Sequence, residues 1–200
     1  MGKIVVSQNV TLDGVVEDPT GEGGFRHGGW FAQMSDADRT QWAGVEFAEA
    51  RAASALLHGR GTDAYFGQRW NTQTNPWAQC LNSLPKYVVS STLTEAVWVN
   101  STILKGDAVM EAGHLKERID GEIIVYASRP LVRALFENDL VDEVRLCVFP
   151  IVAGAGKRVF ADLSDKHVLR RRDVRPIGEG LVHQVYEVVA QRAGDAVGEQ

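Results

Sequence analysis

Two hydrophobic periods take turns along this chain, one of about two residues and one of about 3.6. Lys3 to Asn9 (KIVVSQN) is short and β-branched, as a buried first strand should be. Thr11-Leu12-Asp13-Gly14 follows, and then a Gly-rich stretch from Glu17 to Gly29 that predicts a long loop. Ser35 and Asp38 fit a capping box, and Trp42, Val45, Ala48 and Ala52 recur at helical spacing, which predicts a helix over Asp36 to Ala52. Ala55 to His58 reads as the next strand, ending at Gly59-Arg60-Gly61-Thr62, where a short helix can begin. Phe66 to Asn82 is polar and aperiodic, and most of it reads as irregular. Strands follow at Lys86 to Ser90 and Glu122 to Tyr126, with a third short candidate at Val97 to Val99. Helices are predicted over Ala108 to Arg118 and from Ser128, where Leu131, Val132, Leu135 and Phe136 form one apolar face that stops at a left-handed Asn138. Val144, Leu146 and Val148 alternate with other side chains as in a strand. Gly154 to Gly156 is a turn, and Val168 to Leu169 and Leu181 to Val189 read as antiparallel closing strands. Strand and helix alternate through the middle. The pattern therefore predicts an α/β fold: a mostly parallel mixed sheet with an antiparallel C-terminal edge.

The 200 residues, 44% hydrophobic and 24% charged, predict one domain over 1–190 with a frayed tail at 191–200. No apolar run approaches a membrane span, and the N-terminus passes directly into a strand, so a cytoplasmic protein is expected. Cys80 and Cys147 lie far apart without a CxxC partner, and His27, His58 and His114 show no ligand spacing, so neither a disulfide nor a metal is expected. Cys147, inside an apolar run, reads as a buried thiol. A net charge of -5 argues against nucleic-acid or membrane partners. The cluster Arg170-Arg171-Arg172 reads as a solvated turn or strand edge.

Ligands of an open parallel sheet collect beyond the carboxyl ends of its strands. Three segments end strands in that way. Gly59 to Thr62 combines glycines with Arg60, a bidentate donor, and the Thr62 hydroxyl. Ser90, Ser91 and Thr92 offer three hydroxyls suited to a 2′-phosphate or ribose edge. Ser128, Arg129 and Pro130 stand at a helix start, as a pyrophosphate requires. Each has a plain alternative, since arginines populate turns and hydroxyls cap helices. Asp13 reads either as a proton-relay residue or as an Asx-type cap of its own loop. Trp30, Phe31, Trp70 and Trp77 lie in or beside loops, where they either stack on a flat ligand or pin the loop to the core.

Taken together, LLxGRxT (Leu56 to Thr62), LPKYVVSxTL with WxNSTxLKGD (Leu84 to Asp107), Ile123 to Phe160 and VSQNVTLDG (Val6 to Gly14) resemble the dihydrofolate reductase-like family, in particular stand-alone relatives of the riboflavin-biosynthesis reductase domain. The resemblance implies a three-layer sandwich with helices on both faces of the sheet. It implies an NADPH-dependent reductase of a flat nitrogen heterocycle of pyrimidine, pterin or flavin type, related to 5-amino-6-(5-phosphoribosylamino)uracil reductase. It also implies a homodimer. Cofactor contacts carry over to Gly59, Arg60, Thr62, Ser90, Ser91, Thr92, Ala127, Ser128, Arg129 and Leu131, with Val10, Thr11, Asp13 and Gly14 on the nicotinamide and substrate side. Three departures stand out. Ala127 replaces a usual Gly, Val15 stands where riboflavin-pathway reductases carry Lys, and no acid on the first helix matches the one in dihydrofolate reductases, although Asp38, Glu46 and Glu49 lie there. The alternative is a non-catalytic nucleotide-binding protein with a degenerate cofactor site.

Overall fold

The computed structural model describes residues 1–189; the reading of 191–200 as a tail lies outside the described residues. Its strands are β1 (Lys3–Thr11), β2 (Ala53–Gly59), β3 (Lys86–Val89), β4 (Ser101–Leu104), β5 (Glu122–Tyr126), β6 (Glu143–Phe149), β7 (Leu169–Ile177) and β8 (Leu181–Val188). Its helices are α1 (Asp36–Ala52), α2 (Arg60–Trp70), α3 (Pro76–Ser83), α4 (Ala108–Arg118) and α5 (Arg129–Glu137). The strands form one sheet in the order β4-β3-β2-β5-β1-β6-β8-β7. All pairs from β4 to β6 are parallel, while β8 runs antiparallel to both β6 and β7.

Strand β1 is central because its residues tolerate burial on both faces: Ile4, Val5 and Val6 expose no surface, each contributing roughly 1.5–3 kcal/mol of burial. Ile4 and Val6 pack with Leu115, Val125, Val132 and Leu135 beneath α4 and α5. Val5 packs on the opposite face with Ala50, Leu56, Leu81 and Trp98 beneath α1, α2 and α3. Helices therefore cover both faces, giving three layers. Among the described residues no helix is long and apolar enough to cross a membrane.

Helix α1 starts where its capping box predicts, with Ser35 accepting from the Asp38 N–H and Asp38 accepting from the Ser35 N–H. The Asp38 carboxylate also accepts from Glu179 N (2.7 Å) and Gly180 N (3.0 Å), so the β7–β8 turn is bolted to the first turn of α1. Asp38 is thus a structural acid.

Four expectations are corrected. Phe66 to Asn82 is mostly helical, because α2 continues to Trp70 and α3 starts at Asn75, whose side chain caps the Ala78 N–H ahead of Pro76. Trp70 and Trp77 consequently lie on helices and pack into the core beneath them. Val97 to Val99 is a turn: the Val97 and Trp98 N–H groups donate to the buried Asp63 carboxylate rather than to a strand. The left-handed residue after α5 is Asp139 (φ 52°), while Asn138 has φ -120°. The strand read at Val168 to Leu169 is longer, and as β7 it absorbs Arg170 to Arg172, which are exposed along its length, while β8 ends within one residue of its reading. Cys147 is buried, and burial pushes its thiol well above the usual range. The segment from Glu17 to Gly29 holds no helix or strand and is ordered around Asp18, whose carboxylate accepts from the Gly23 and Phe25 N–H groups. Glu22 ties this loop to Arg69 and Tyr65 on α2. Trp30 and Phe31 then pin its end to Phe149, with ring centroids 4.8 and 5.2 Å away.

Candidate functional site

The helix after β1 lies on one face of the sheet and the helix after β5 on the other, although these strands are neighbours. Such a switch point leaves a crevice at the carboxyl ends. The register shows it. β1 pairs with β5 only as far as Ser7 opposite Tyr126, whereas its pairing with β6 continues to Thr11 opposite Phe149. Beyond Ser7 the β5 side of β1 is open.

At the carboxyl ends of β2, β3 and β5 lies a cleft of about 560 Å³ lined by Gly59, Arg60, Gly61, Thr62, Val89, Ala108, Ser128, Arg129, Pro130, Leu131 and Ala134. Eight residues singled out in the sequence, Gly59 to Thr62 and Ser128 to Leu131, meet here. The starts of α2 and α5 both face this cleft, so two sets of helix N-terminal amides converge on it. Ser128 fixes their spacing: its hydroxyl accepts from Gly59 N (3.1 Å) and donates to Thr62 Oγ1 (2.9 Å). Ala127 and Ser128 are both left-handed, with φ 47° and 48°, and Arg129 begins the helix. A left-handed residue followed by a right-handed one gathers successive N–H groups into an anion-binding concavity. Gln8, buried on β1, holds that turn by donating to the Ala127 carbonyl at 3.0 Å. The Leu131 N–H donates to the Ser128 carbonyl (2.8 Å), so the turn uses Leu131 internally and presents only its side chain to the cleft. Arg60 lies at the rim and donates to Thr92 Oγ1 at 3.3 Å, bringing the Ser90 to Thr92 hydroxyls to the same end. Ser90 Oγ itself caps the Leu93 N–H (3.1 Å), while Ser91 and Thr92 are exposed.

The first-loop residues do not line this cleft. Val10 is buried in the core, and Thr11 Oγ1 accepts from Val15 N and donates to Asp13. The Asp13 carboxylate accepts from Ala153 N (3.0 Å) and Gly154 N (2.9 Å), and Gly14 turns the chain at φ 82°. The Thr11 hydroxyl foremost, with those two amides, outweighs burial and holds the Asp13 carboxyl down at about 2. Asp13 therefore caps its loop and has no proton to give near neutral pH. Val15 is fully buried, so its side chain does not reach the site.

On the α1 side of the opening stands a group the sequence did not assemble. Trp42 Nε1 donates to Asn9 Oδ1 (2.9 Å), and Asn9 Nδ2 donates to Glu46 Oε1 (3.4 Å). Glu49, one turn further along α1, accepts from Arg145 at 3.1 Å. Burial, and secondly the charge of Glu49, push the Glu46 carboxyl up to about 8. Both act to favour its protonated form. The only signal in the sequence was the i, i+3 spacing of two acids on α1, and the hydrophobic pattern does not tell which strand they face.

Residues 2–183 match the RibD C-terminal domain family. The chain belongs to that family. It is 28% identical over 194 residues to the uncharacterized protein YyaP of Bacillus subtilis strain 168, covering 92% of this chain and 94% of that one. The fold is dihydrofolate reductase-like. A putative riboflavin biosynthesis protein from Shewanella sp. PV-4 superposes with a TM-score of 0.74 at 20% identity, over 94% of this chain and 99% of that one. Dihydrofolate reductase from Enterococcus faecalis, in complex with NADP(H), superposes with a TM-score of 0.56 at 12% identity, over 93% and 96% of the two chains.

Proposed function

We propose that this RibD C-terminal domain protein is an NADPH-dependent reductase of a flat nitrogen heterocycle. The convergence of two helix starts on the cleft at the ends of β2 and β5 carries the reading, and Glu46 beside Asn9, where β1 runs on past its pairing with β5, supplies a carboxyl that burial biases toward its protonated form. The cleft residues fit a dinucleotide. A Cβ added at Gly59 or Gly61 meets no atom within 4 Å, so a phosphate has open access to that backbone. The turn at Ala127 to Arg129 would hold the pyrophosphate, and Arg60 with Ser91 and Thr92 the 2′-phosphate. The bound dihydronicotinamide supplies the hydride. Asn9 and Trp42 orient the acceptor, and Glu46 gives it the accompanying proton. With Val15 buried, no lysine reaches the position that the riboflavin-pathway reductases use, and the reading therefore favours an acceptor without the ribose phosphate. A homodimer is part of the proposal.

The test is to follow NADPH oxidation with flavin, pterin and pyrimidine acceptors, comparing wild type with Glu46→Gln. Turnover with at least one acceptor is expected, falling on the order of 10²–10⁴-fold in the variant while NADPH still binds. Equal turnover by both proteins would remove Glu46 from the reaction. Ala127→Gly is expected to tighten NADPH binding severalfold by removing a Cβ from the concavity. Its stability should change by less than about 1 kcal/mol, since relief of left-handed strain offsets the added freedom of the unfolded chain. Unchanged affinity would show that this turn does not approach the phosphates.

A further inference from the structure

Four polar groups of the α1 face lie together between α1 and the sheet: Glu46, Glu49, Ser7 and Tyr126. The Glu49 carboxylate faces the Ser7 and Tyr126 hydroxyls, yet among the described residues neither Glu49 Oε1 nor the Tyr126 hydroxyl makes a hydrogen bond of good geometry. Unpaired buried oxygens are costly, and a carboxylate least tolerates the condition. Glu49 is nonetheless fixed. Arg145, itself shared with Glu122 (2.5 Å) and Glu143 (2.7 Å), holds its other oxygen, Oε2, at 3.1 Å, and the Glu49 side chain is only 8% exposed. Glu46, on the same face of α1 one turn nearer the opening, is met by the Asn9 amide and the Trp42 indole, and among the described residues no cation pairs with it.

Resting on the reductase reading, we propose that Glu46 and Glu49 act as one proton-sharing pair: Glu46 meets the acceptor, and Glu49, pinned by Arg145, is the positioning residue that keeps the proton on Glu46. The physical cause is like charge in a poorly solvated place. Burial raises both carboxyls, and Arg145 opposes it at Glu49 alone, so Glu49 is the one to carry the negative charge and Glu46 the one to keep the proton. On turnover the Glu46 O–H bond breaks, its proton goes to an acceptor nitrogen as the neighbouring carbon takes the hydride from the dihydronicotinamide, and Glu46 is left as a carboxylate. Repulsion from Glu49 then draws a proton back from solvent. Other ionisable groups stand on the strands beneath α1 and on α1 itself. They are Lys3 on β1, Glu122 and Tyr126 on β5, Glu143, Arg145 and Cys147 on β6, His183 and Glu187 on β8, and Asp38 on α1. Among them Lys3 and Arg145 are paired to the carboxylates of Glu143 and Glu122, and Tyr126 and Cys147 stay neutral, their ionisation pushed up by burial.

The test reads the carboxyl itself in the protein without acceptor, by infrared titration of the protonated C=O band. Wild type should keep one protonated carboxyl through neutral pH, and the band should be absent from Glu46→Gln, a shape-conserving change that keeps the helix packed. In Glu49→Gln the same carboxyl should ionise at least tenfold more readily, and the alkaline limb of NADPH turnover should move to lower pH by the same amount. No such band in wild type, or a band that survives Glu46→Gln, overturns the pair. An unshifted titration in Glu49→Gln overturns the role of Glu49. If the band behaves as expected while no acceptor is reduced, the pair stands as a coupled site and the reductase reading fails.

Discussion

Replacing Gly178 by alanine is expected to lower the unfolding free energy by about 3 kcal/mol, measured as a shift in the urea transition. Gly178 has φ 59°, where an L side chain is strained, and an added Cβ falls 2.6 Å from Asp38 Cα and 2.7 Å from Asp38 N. Both are backbone atoms of α1, so the turn has to move away. Its movement breaks the bonds from Glu179 N and Gly180 N to the Asp38 carboxylate and from Gly178 N to Gln41 Oε1. The same contact titrates. Burial raises the Asp38 carboxyl, but the amides of Gly180, Glu179 and Ser35 outweigh it and hold it below the ordinary carboxylate range. A depressed carboxyl stabilises the fold above its unfolded pKa, near 4, and loses that contribution as pH falls through the folded value. The gap between wild type and variant should therefore narrow in acid. A difference of less than about 1 kcal/mol at neutral pH would show that the turn is free to shift. The consequence reaches the site, because the helix pinned by this turn carries Trp42 and Glu46.

Arg60→Ala is expected to weaken NADPH binding by about 1.5–3 kcal/mol, the range for hydrogen bonds to a charged group, while leaving NADH binding nearly unchanged. That is roughly a 10- to 100-fold loss of preference. Arg60 is exposed at the rim of the cleft and touches Thr92, and among the described residues no carboxylate pairs with its guanidinium, which leaves it available to a phosphate. Equal weakening of both cofactors would assign Arg60 to the shared pyrophosphate or to the turn itself. Lys in its place is expected to recover only part of the preference, since an ammonium lacks the two-pronged geometry.

Legibility in the sequence followed local chemistry. The bounds of α1 were readable because Ser35 and Asp38 cap it and Arg51 closes it, and β5 because EIIVY is apolar on both faces. The cleft at the starts of α2 and α5 was readable because its parts are short turn segments in which glycines, hydroxyls and an arginine stand together in the sequence. Helix α3 was missed because it buries only Ala78 and Leu81, too few for a periodic signal, although Asn75 before Pro76 marked its start. The length of β7 was missed because an exposed edge strand needs no apolar face, and arginine fills it instead. Asp13 was ambiguous because its two amide donors come from residues 153 and 154. Glu46 was visible as an acid on α1, but its partners Asn9 and Glu49, and the Arg145 that holds Glu49, come together only through the parallel order of β1 and β6. Contacts that span the sheet leave no local pattern.

The most direct measurement is a titration of the cofactor-stripped protein with NADPH and, separately, NADH, following tryptophan quenching and energy transfer to the nicotinamide. Micromolar NADPH binding with NADH at least tenfold weaker is the predicted result. Equal binding of the two, or no binding of either, would contradict the assignment of the cleft and with it the reductase reading.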